Sequence, residues 1–426
     1  MVDAVALSEL NARMRVSRRS VLVAIPLMGC AGEADARVNV IHVTPTGEGD
    51  GSSWENAAAF DAITNLIEHL QPGGEVLIAA DRGEYAIADV IEIARGGRAS
   101  QEVHIRGVNA ATGAPMLALV RGDQAGDEGP EVFKLVRGAS HVKFSHFDFR
   151  DIGNGAFRVA GAVSNVTIED CAFENIYRFF ENTAGDGEGH ASIDGFVLRR
   201  CRGSRVERGF LRIRYNSRNG LIEDCAAQGT TNDGGRIPVG CALDDRASNI
   251  TYRRVVMGGF QQLNGCEYWN GDGFSDEPDN ANIRYEACEA RGSTDGGFDC
   301  KSRDLVLTDC IAEDNKRNFR IWGDHATLTN CTSRDPNFRG RDANENASPC
   351  HVWIGGEENI DIDIANLTIA DHDATPIIEF NHDVGVVKIR GVTINSPRLN
   401  WGNDEGRIRA SMLVGEPQFH AVIANN

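Results

Sequence analysis

Val166-Thr-Ile-Glu-Asp-Cys171 is one copy of a pattern that recurs along this chain: a short apolar stretch, two mostly polar residues and then a cysteine. In one copy, Val255 takes the cysteine place. The other copies end at Cys201, Cys225, Cys288, Cys310 and Cys331. Consecutive copies are 21 to 33 residues apart. Short alternating strands at such variable spacing are typical of the rungs of a β-solenoid, whose loops differ in length.

A second set of residues repeats in the same register. Three segments align without gaps: Gly273-Phe-Ser-Asp-Glu277, Gly297-Phe-Asp-Cys-Lys301 and Asn318-Phe-Arg-Ile-Trp322. Their phenylalanines lie 14, 12 and 12 residues before the cysteine of the same rung. The two columns together predict an all-β fold, a single-stranded right-handed parallel β-helix that forms one domain over residues 31–426.

The exposed end of a solenoid core needs a cover, and the N-terminal part of the chain offers one. We expect an opening strand from Val40, an amphipathic helix from Glu55 to Leu70, and a first rung at Pro72 to Ile78. The helix would cap the core.

The chain has 11 cysteines, and their recurrence at one place per rung bears on how they are used. Identical small residues at one place stack as an internal ladder, in which cysteine behaves as a small hydrophobe. We therefore predict unpaired core thiols. Disulfides between neighbouring rungs are the alternative, because exported proteins often contain them.

The net charge of the chain and its N-terminal segment indicate which partners it can bind and where in the cell it is located. The formal charge is −19 without a Lys/Arg-rich run, which argues against a nucleic-acid partner. Residues 1–30 resemble an export signal, with a twin-arginine-like Ser17-Arg-Arg-Ser20 before an apolar run. Leu27-Met-Gly-Cys30 resembles a lipobox. We expect a monomer in the periplasm or at the cell surface, with a lipid anchor at Cys30; a plain cleaved signal is the alternative.

The phenylalanine column predicts where a site would lie. If the three rings point inward, the residues one and three places later point outward on one sheet face. Asp272 and Asp295 lie in the turns that open two of these strands. The outward residues are Ser275, Glu277, Asp299, Lys301, Arg320 and Trp322, followed on the next rung by His351 and Trp353.

These residue types together suit chemistry on an acidic sugar. Carboxylates from adjacent turns favour a hard cation such as Ca²⁺, which would bind a uronate carboxylate and acidify the neighbouring carbon. A nearby base would then remove that proton, and the 4-linked oxygen would leave. We expect Glu277, Trp322, His351 and Trp353 to contact the substrate. The alternative is a set of salt-bridge ladders, such as Asp299 with Arg320.

The segments Asn270-Gly-Asp272-Gly-Phe274, Ser293-Thr-Asp295-Gly-Gly-Phe-Asp299 and Asn318-Phe-Arg320-Ile-Trp-Gly323 resemble the motifs of family-nine pectate lyases, in the pectate-lyase-like β-helix superfamily. The resemblance implies Ca²⁺-dependent β-elimination, with Asp272, Asp295 and Asp299 as metal ligands and Arg320 in the place of the family's lysine base. Gly296 replaces a further family aspartate. Because arginine is a poor base, Lys301 and Lys316 are also candidates.

The sequence therefore predicts a polysaccharide lyase that cleaves a uronate-containing acidic polysaccharide with the help of calcium. Three other functions fit the same scaffold: a glycoside hydrolase, a uronate epimerase, and a non-catalytic glycan-binding protein of the cell surface. The fold alone does not choose among them.

Overall fold

Three ladders of parallel strands form the protein in this computed structural model. The structure describes residues 38–123, 127–183, 191–232, 236–263, 269–339, 348–356, 360–381 and 386–403, and the backbone of 420–423. The predicted export signal and Cys30 lie outside the described residues.

One strand of each turn joins the first ladder, which we call sheet A. Among the described residues it has 13 strands: Val38–Val43, Leu70–Ala79, Val103–Val108, Val142–Ser145, Val163–Glu169, Ile193–Arg199, Arg218–Glu223, Ser248–Arg253, Ala281–Glu286, Leu305–Thr308, Ala326–Thr329, Asp361–Ala365 and Val386–Arg390.

The second ladder, sheet B, follows sheet A along each turn. Two long strands, Ala172–Asn182 and Arg202–Ile213, belong to it and continue into the third ladder. Its other strands are Tyr85–Ala86, Ala118–Arg121, Phe147–Ile152, Ala226–Gly229, Val256–Gly258, Glu289–Arg291, Ile311–Glu313, Thr332–Arg334, Thr368–Ala370, Thr393–Ser396 and His420–Ile423. A separate pair is formed by Thr231–Asn232 and Gln261–Gln262.

The third ladder, sheet C, carries the candidate site. Besides the two long strands it contains Ile91–Ile93, Phe133–Leu135, Phe157–Val159, Val239–Leu243, Asp272–Asp276, Gly296–Cys300, Arg317–Ile321, Cys350–Ile354 and Ile378–Phe380. Each strand pairs in parallel with the corresponding strand of the next turn. This arrangement confirms the predicted right-handed parallel β-helix.

The phenylalanine column lies inside the helix as predicted. Phe274 pairs with Phe298, and Phe298 pairs with Phe319. Their rings are stacked, with centroids 4.9 and 5.3 Å apart and planes within 11° of parallel. All three side chains are fully buried. The register of sheet C over these three rungs is therefore the one that the gapless alignment predicts.

The cysteine ladder is also confirmed. The nine described cysteines are buried free thiols. In the repeated pattern, the residue before the ladder position has a positive φ of 52° to 56°, as at Asp170, Asp224, Asp309 and Asn330. Asp and Asn tolerate this left-handed conformation better than most residues. The polar residue thus turns the chain between sheets A and B, and the following thiol enters the core.

The predicted N-terminal capping helix is not confirmed. Only Ile63–Leu66 is α-helical, and a 3₁₀ turn, Ile67–His69, follows it. Phe60, Ile63 and Ile67 are nevertheless buried in the core, so the apolar spacing is satisfied by bends and short turns. Among the described residues, no helix has the length and apolar character needed to span a membrane.

Candidate active site

A cleft of about 380 Å³ lies on the outer face of sheet C. One column of paired residues on successive strands forms the floor of the cleft. Arg212 pairs with Ala242, Ala242 with Ser275, and Ser275 with Asp299. Arg320 follows Asp299 in the same column. Because Ala242 and Ser275 are small, the surface is depressed between the longer side chains at the two ends.

Asp299 is the centre of the network at one end of the cleft. The indole Nε1 of Trp322 donates a hydrogen bond to Asp299 Oδ1 at 2.9 Å. Lys301 Nζ and Arg320 Nη1 lie 3.2 and 3.3 Å from Asp299 Oδ2. Lys301 also forms an ion pair with Glu277, at 2.9 Å. The predicted outward residues of these rungs are thus brought together.

Asp295 lies beneath this network and is fully buried. Its Oδ2 is 3.2 Å from Arg320 Nη1, and its Oδ1 is 2.9 Å from Lys316 Nζ. Lys316 is buried and does not line the cleft. Burial lowers the pKa of Lys316, although Asp295 opposes that effect. Lys316 therefore balances a buried charge, and it lies behind the cleft rather than facing it.

Asp272 faces the cleft from the neighbouring rung. Its Oδ1 accepts a hydrogen bond from the backbone N–H of Gly296, at 2.7 Å. Burial and the nearby carboxylates of Asp299 and Asp295 raise the pKa of Asp272 well above its usual value. A Cβ added at Gly296 would lie 2.9 Å from Asp299 Cβ and 3.0 Å from Asp272 Oδ1. The glycine is therefore what allows these carboxylates to approach each other.

Lys301 and Arg320 are the cations of the predicted set that line the cleft. Burial alone would lower the pKa of Lys301, but the carboxylates of Asp299 and Glu277 outweigh it and raise that pKa above its usual value. The guanidinium of Arg320 lies close to two indoles, 4.4 Å from the Trp322 centroid and 5.0 Å from the Trp353 centroid. Lys301 is therefore held charged, and the contacts of both cations hold them in fixed positions.

The other predicted substrate contacts differ in their exposure. Glu277 and Trp322 line the cleft. Trp353 is 6% exposed and packs edge-on against Trp322, so it supports that side of the cleft from beneath. His351 is fully buried, with Nδ1 2.8 Å from Ser333 Oγ. Since its ring faces inward, His351 has no surface to offer a glycan.

The aspartates meet as predicted, but they do not fit a calcium site. Both oxygens of Asp295 contact a cationic nitrogen. The oxygens of Asp299 are bonded to an indole and to two cations, and Asp272 Oδ1 accepts an amide N–H. Calcium takes about six to eight oxygen ligands. In the described part of the chain, no group of three or more acidic, histidine or cysteine side chains is arranged to hold a metal ion.

Three arginines at the opposite end of the cleft were not predicted from the sequence. Arg178, Arg208 and Arg212 line the cleft beyond Ala242. They come from the long strands Ala172–Asn182 and Arg202–Ile213 and share no motif with the aspartate segments. The sequence did contain one signal for them. The cysteine ladder includes Cys171 and Cys201, so these two strands could have been aligned with the later rungs.

Comparison with known proteins gives a fold but no sequence family. No protein-family model matches the chain, and no curated protein matches it. The A-module of the mannuronan C-5 epimerase AlgE4 of Azotobacter vinelandii is 11% identical, with a TM-score of 0.58 over 90% of this chain and 100% of that one. The AlgE6 A-module is 13% identical, with a TM-score of 0.54 over 85% and 94%.

A crystal structure of pectate lyase Pel9A is also similar, at 16% identity and a TM-score of 0.49 over 73% of this chain and 80% of that one. At such identities the two epimerase modules show the fold alone. The chain has the right-handed parallel β-helix fold of those modules.

Proposed function

We propose that the protein is a polysaccharide lyase that cleaves a uronate-containing acidic polysaccharide by β-elimination. The observation that carries the proposal is the joint presence of two fixed cations, Arg320 and Lys301, and a buried carboxylate, Asp272, on one cleft. The epimerase modules of the same fold act on mannuronan by their names, which supports a polysaccharide substrate.

The cations would neutralise the substrate carboxylate. Arg320 lines the cleft, and its Nη1 contacts both Asp295 and Asp299. Arginine binds carboxylates in a planar, bidentate geometry. Neutralising the carboxylate of a uronate stabilises the charge that develops when the proton on its C5 is removed. We assign this role to Arg320, with Lys301 beside it.

The base must face the cleft and accept a proton. Lys316 does not line the cleft, Lys301 is held protonated by its carboxylate neighbours, and the guanidinium of Arg320 keeps its proton in proteins. Asp272 lines the cleft, and among the described residues its direct contact is the Gly296 amide and not a cation. We therefore assign proton abstraction to Asp272.

The elimination then balances without an oxidant or a reductant. The C5–H bond gives its proton to the Asp272 carboxylate, its electron pair forms the C4–C5 double bond, and the C4–O bond breaks. The leaving oxygen takes a proton from water or from the Lys301 ammonium. The half-buried face of Trp322 offers an apolar platform for the sugar ring. The export signal predicted in residues 1–30 would bring the enzyme to polysaccharide in the periplasm or at the cell surface.

The test uses the purified chain with a panel of uronate polymers. We expect ultraviolet absorbance from an unsaturated product, and a rate that falls roughly a hundredfold or more in Asp272→Asn. Arg320→Lys should keep measurable activity, because it keeps the charge, whereas Arg320→Met should not. Arg218→Met, an exposed ion pair on sheet A, is the matched control.

Two outcomes would contradict the proposal. New reducing ends without ultraviolet absorbance would indicate hydrolysis. Incorporation of solvent deuterium at C5 without an unsaturated product would indicate epimerisation, since an epimerase returns a proton to C5 instead of expelling the leaving group.

A further inference from the structure

The arginine end of the cleft lies at a defined distance from the site of elimination. Arg212 is three rungs from Asp299 along the outward column, through Ala242 and Ser275. Rungs are about 4.8 Å apart, so the two ends are separated by roughly 14 Å. A cleft that crosses the strands in this way would hold a polymer along the helix axis.

Among the described residues, arginines outnumber acids at this end. Three guanidinium groups share one carboxylate: Arg178 bonds to Glu181, and Arg158 and Arg214 lie 3.1 and 3.6 Å from it. Arg158 also lies 3.6 Å from Glu131. These arginines are more numerous than the acids between them.

The two remaining arginines of the cleft differ in their partners. Arg212 forms an ion pair with Asp244, at 2.7 Å. Arg208 donates to the backbone carbonyl of Ile237. A carbonyl oxygen does not neutralise a guanidinium, and within the described residues Arg208 has no carboxylate partner.

Arg178 is the most confined of the three cleft arginines. Arg178 is 6% exposed, and its Nε has no hydrogen-bond partner among the described residues. Burial lowers the pKa of Arg178, the Glu181 carboxylate opposes that effect, and the positive charge of Arg212 adds to it. A buried cation with a donor left over is costly unless an anion completes its bonds. The geometry of the cleft allows a ligand to supply that anion.

We propose that Arg178, Arg208 and Arg212 form a subsite for the carboxylate of a second uronate, roughly three sugar units along the polymer from the uronate at Arg320. One hexuronate unit is about as long as one rung spacing, so three rungs correspond to three units. The inference rests on the proposed function and deepens it. It names the substrate as a run of consecutive uronates longer than a disaccharide.

The experiment measures binding without cleavage. The full chain carrying Asp272→Asn is titrated by calorimetry with an oligouronate disaccharide and a hexasaccharide of the polymer. We expect the hexasaccharide to bind more tightly, because it reaches both ends of the cleft. Adding Arg208→Met or Arg212→Met should weaken hexasaccharide binding roughly tenfold or more and remove most of the advantage of length. Adding Arg218→Met should leave that advantage unchanged.

Two results would overturn the subsite: hexasaccharide affinity that does not fall in these variants, or disaccharide affinity that falls by the same factor. Arg208 is only half-buried, so Arg208→Met avoids the folding risk of replacing Arg178. The thermal midpoint of each variant is measured in parallel. If the unmodified chain shows no lyase activity, the proposed function fails while the length dependence of binding still decides the subsite.

Discussion

Lys316 and Asp295 form a buried ion pair beneath the cleft, with 2.9 Å between Nζ and Oδ1. Each side chain is 1% exposed. Removing one partner of such a pair leaves an uncompensated charge inside the protein. The role of Lys316 is therefore to hold Asp295, and through it Arg320, in place. The sequence could place Lys316 near the site, but its burial depends on the packing of the turn that precedes Arg317–Ile321.

We predict that Lys316→Met lowers the free energy of unfolding by about 3 kcal/mol. The double variant Lys316→Met with Asp295→Asn should recover part of that loss, because it removes both charges. The measurement is a denaturant unfolding curve for each variant. Equal stability of Lys316→Met and the unmodified chain would show that Arg320 alone is a sufficient partner for Asp295.

At the scale of the elements, the register of the rungs could be predicted because small residues recur at one place and fix it. A one-residue slip would move the thiols and the phenylalanines to the outer face. The capping helix could not be predicted from its apolar spacing, because bends and single turns bury the same residues. Val255 shows what the ladder position requires: it is fully buried in the place that other rungs give to cysteine.

This equivalence predicts how the ladder tolerates substitution. Cys225→Val should change the free energy of unfolding by less than about 1.5 kcal/mol, since valine already fits the next rung. Cys225→Leu adds volume between Cys201 and Val255 and should cost about 1–3 kcal/mol. Thermal unfolding of both variants makes the comparison. An equally large loss in both variants would mean that the weak thiol bond to the Leu198 carbonyl, at 3.6 Å, matters more than volume.

At the scale of the whole molecule, the cleft combines residues from six successive rungs that lie far apart in the chain. The sequence placed Asp272, Asp299 and Arg320 together because their segments align without gaps. Arg178 and Arg212 lie in strands where insertions and bulges interrupt the alignment, including a register shift between Ile176 and Arg178. The ion pairs that each charged residue of the cleft forms could not be predicted either, because they depend on the direction in which each side chain points.

The ion pairs of the cleft predict that the protein does not depend on a bound metal. At the cleft, Lys316, Arg320 and Lys301 already contact the carboxylates of Asp295 and Asp299. Extensive dialysis against a chelator should therefore leave both the lyase rate and the thermal midpoint unchanged. Lys316→Met, in which Asp295 loses a cation, is the informative comparison, because added calcium should stabilise that variant more than the unmodified chain. Loss of activity in the unmodified chain on chelation, with recovery on adding calcium, would show that a metal displaces these internal cations.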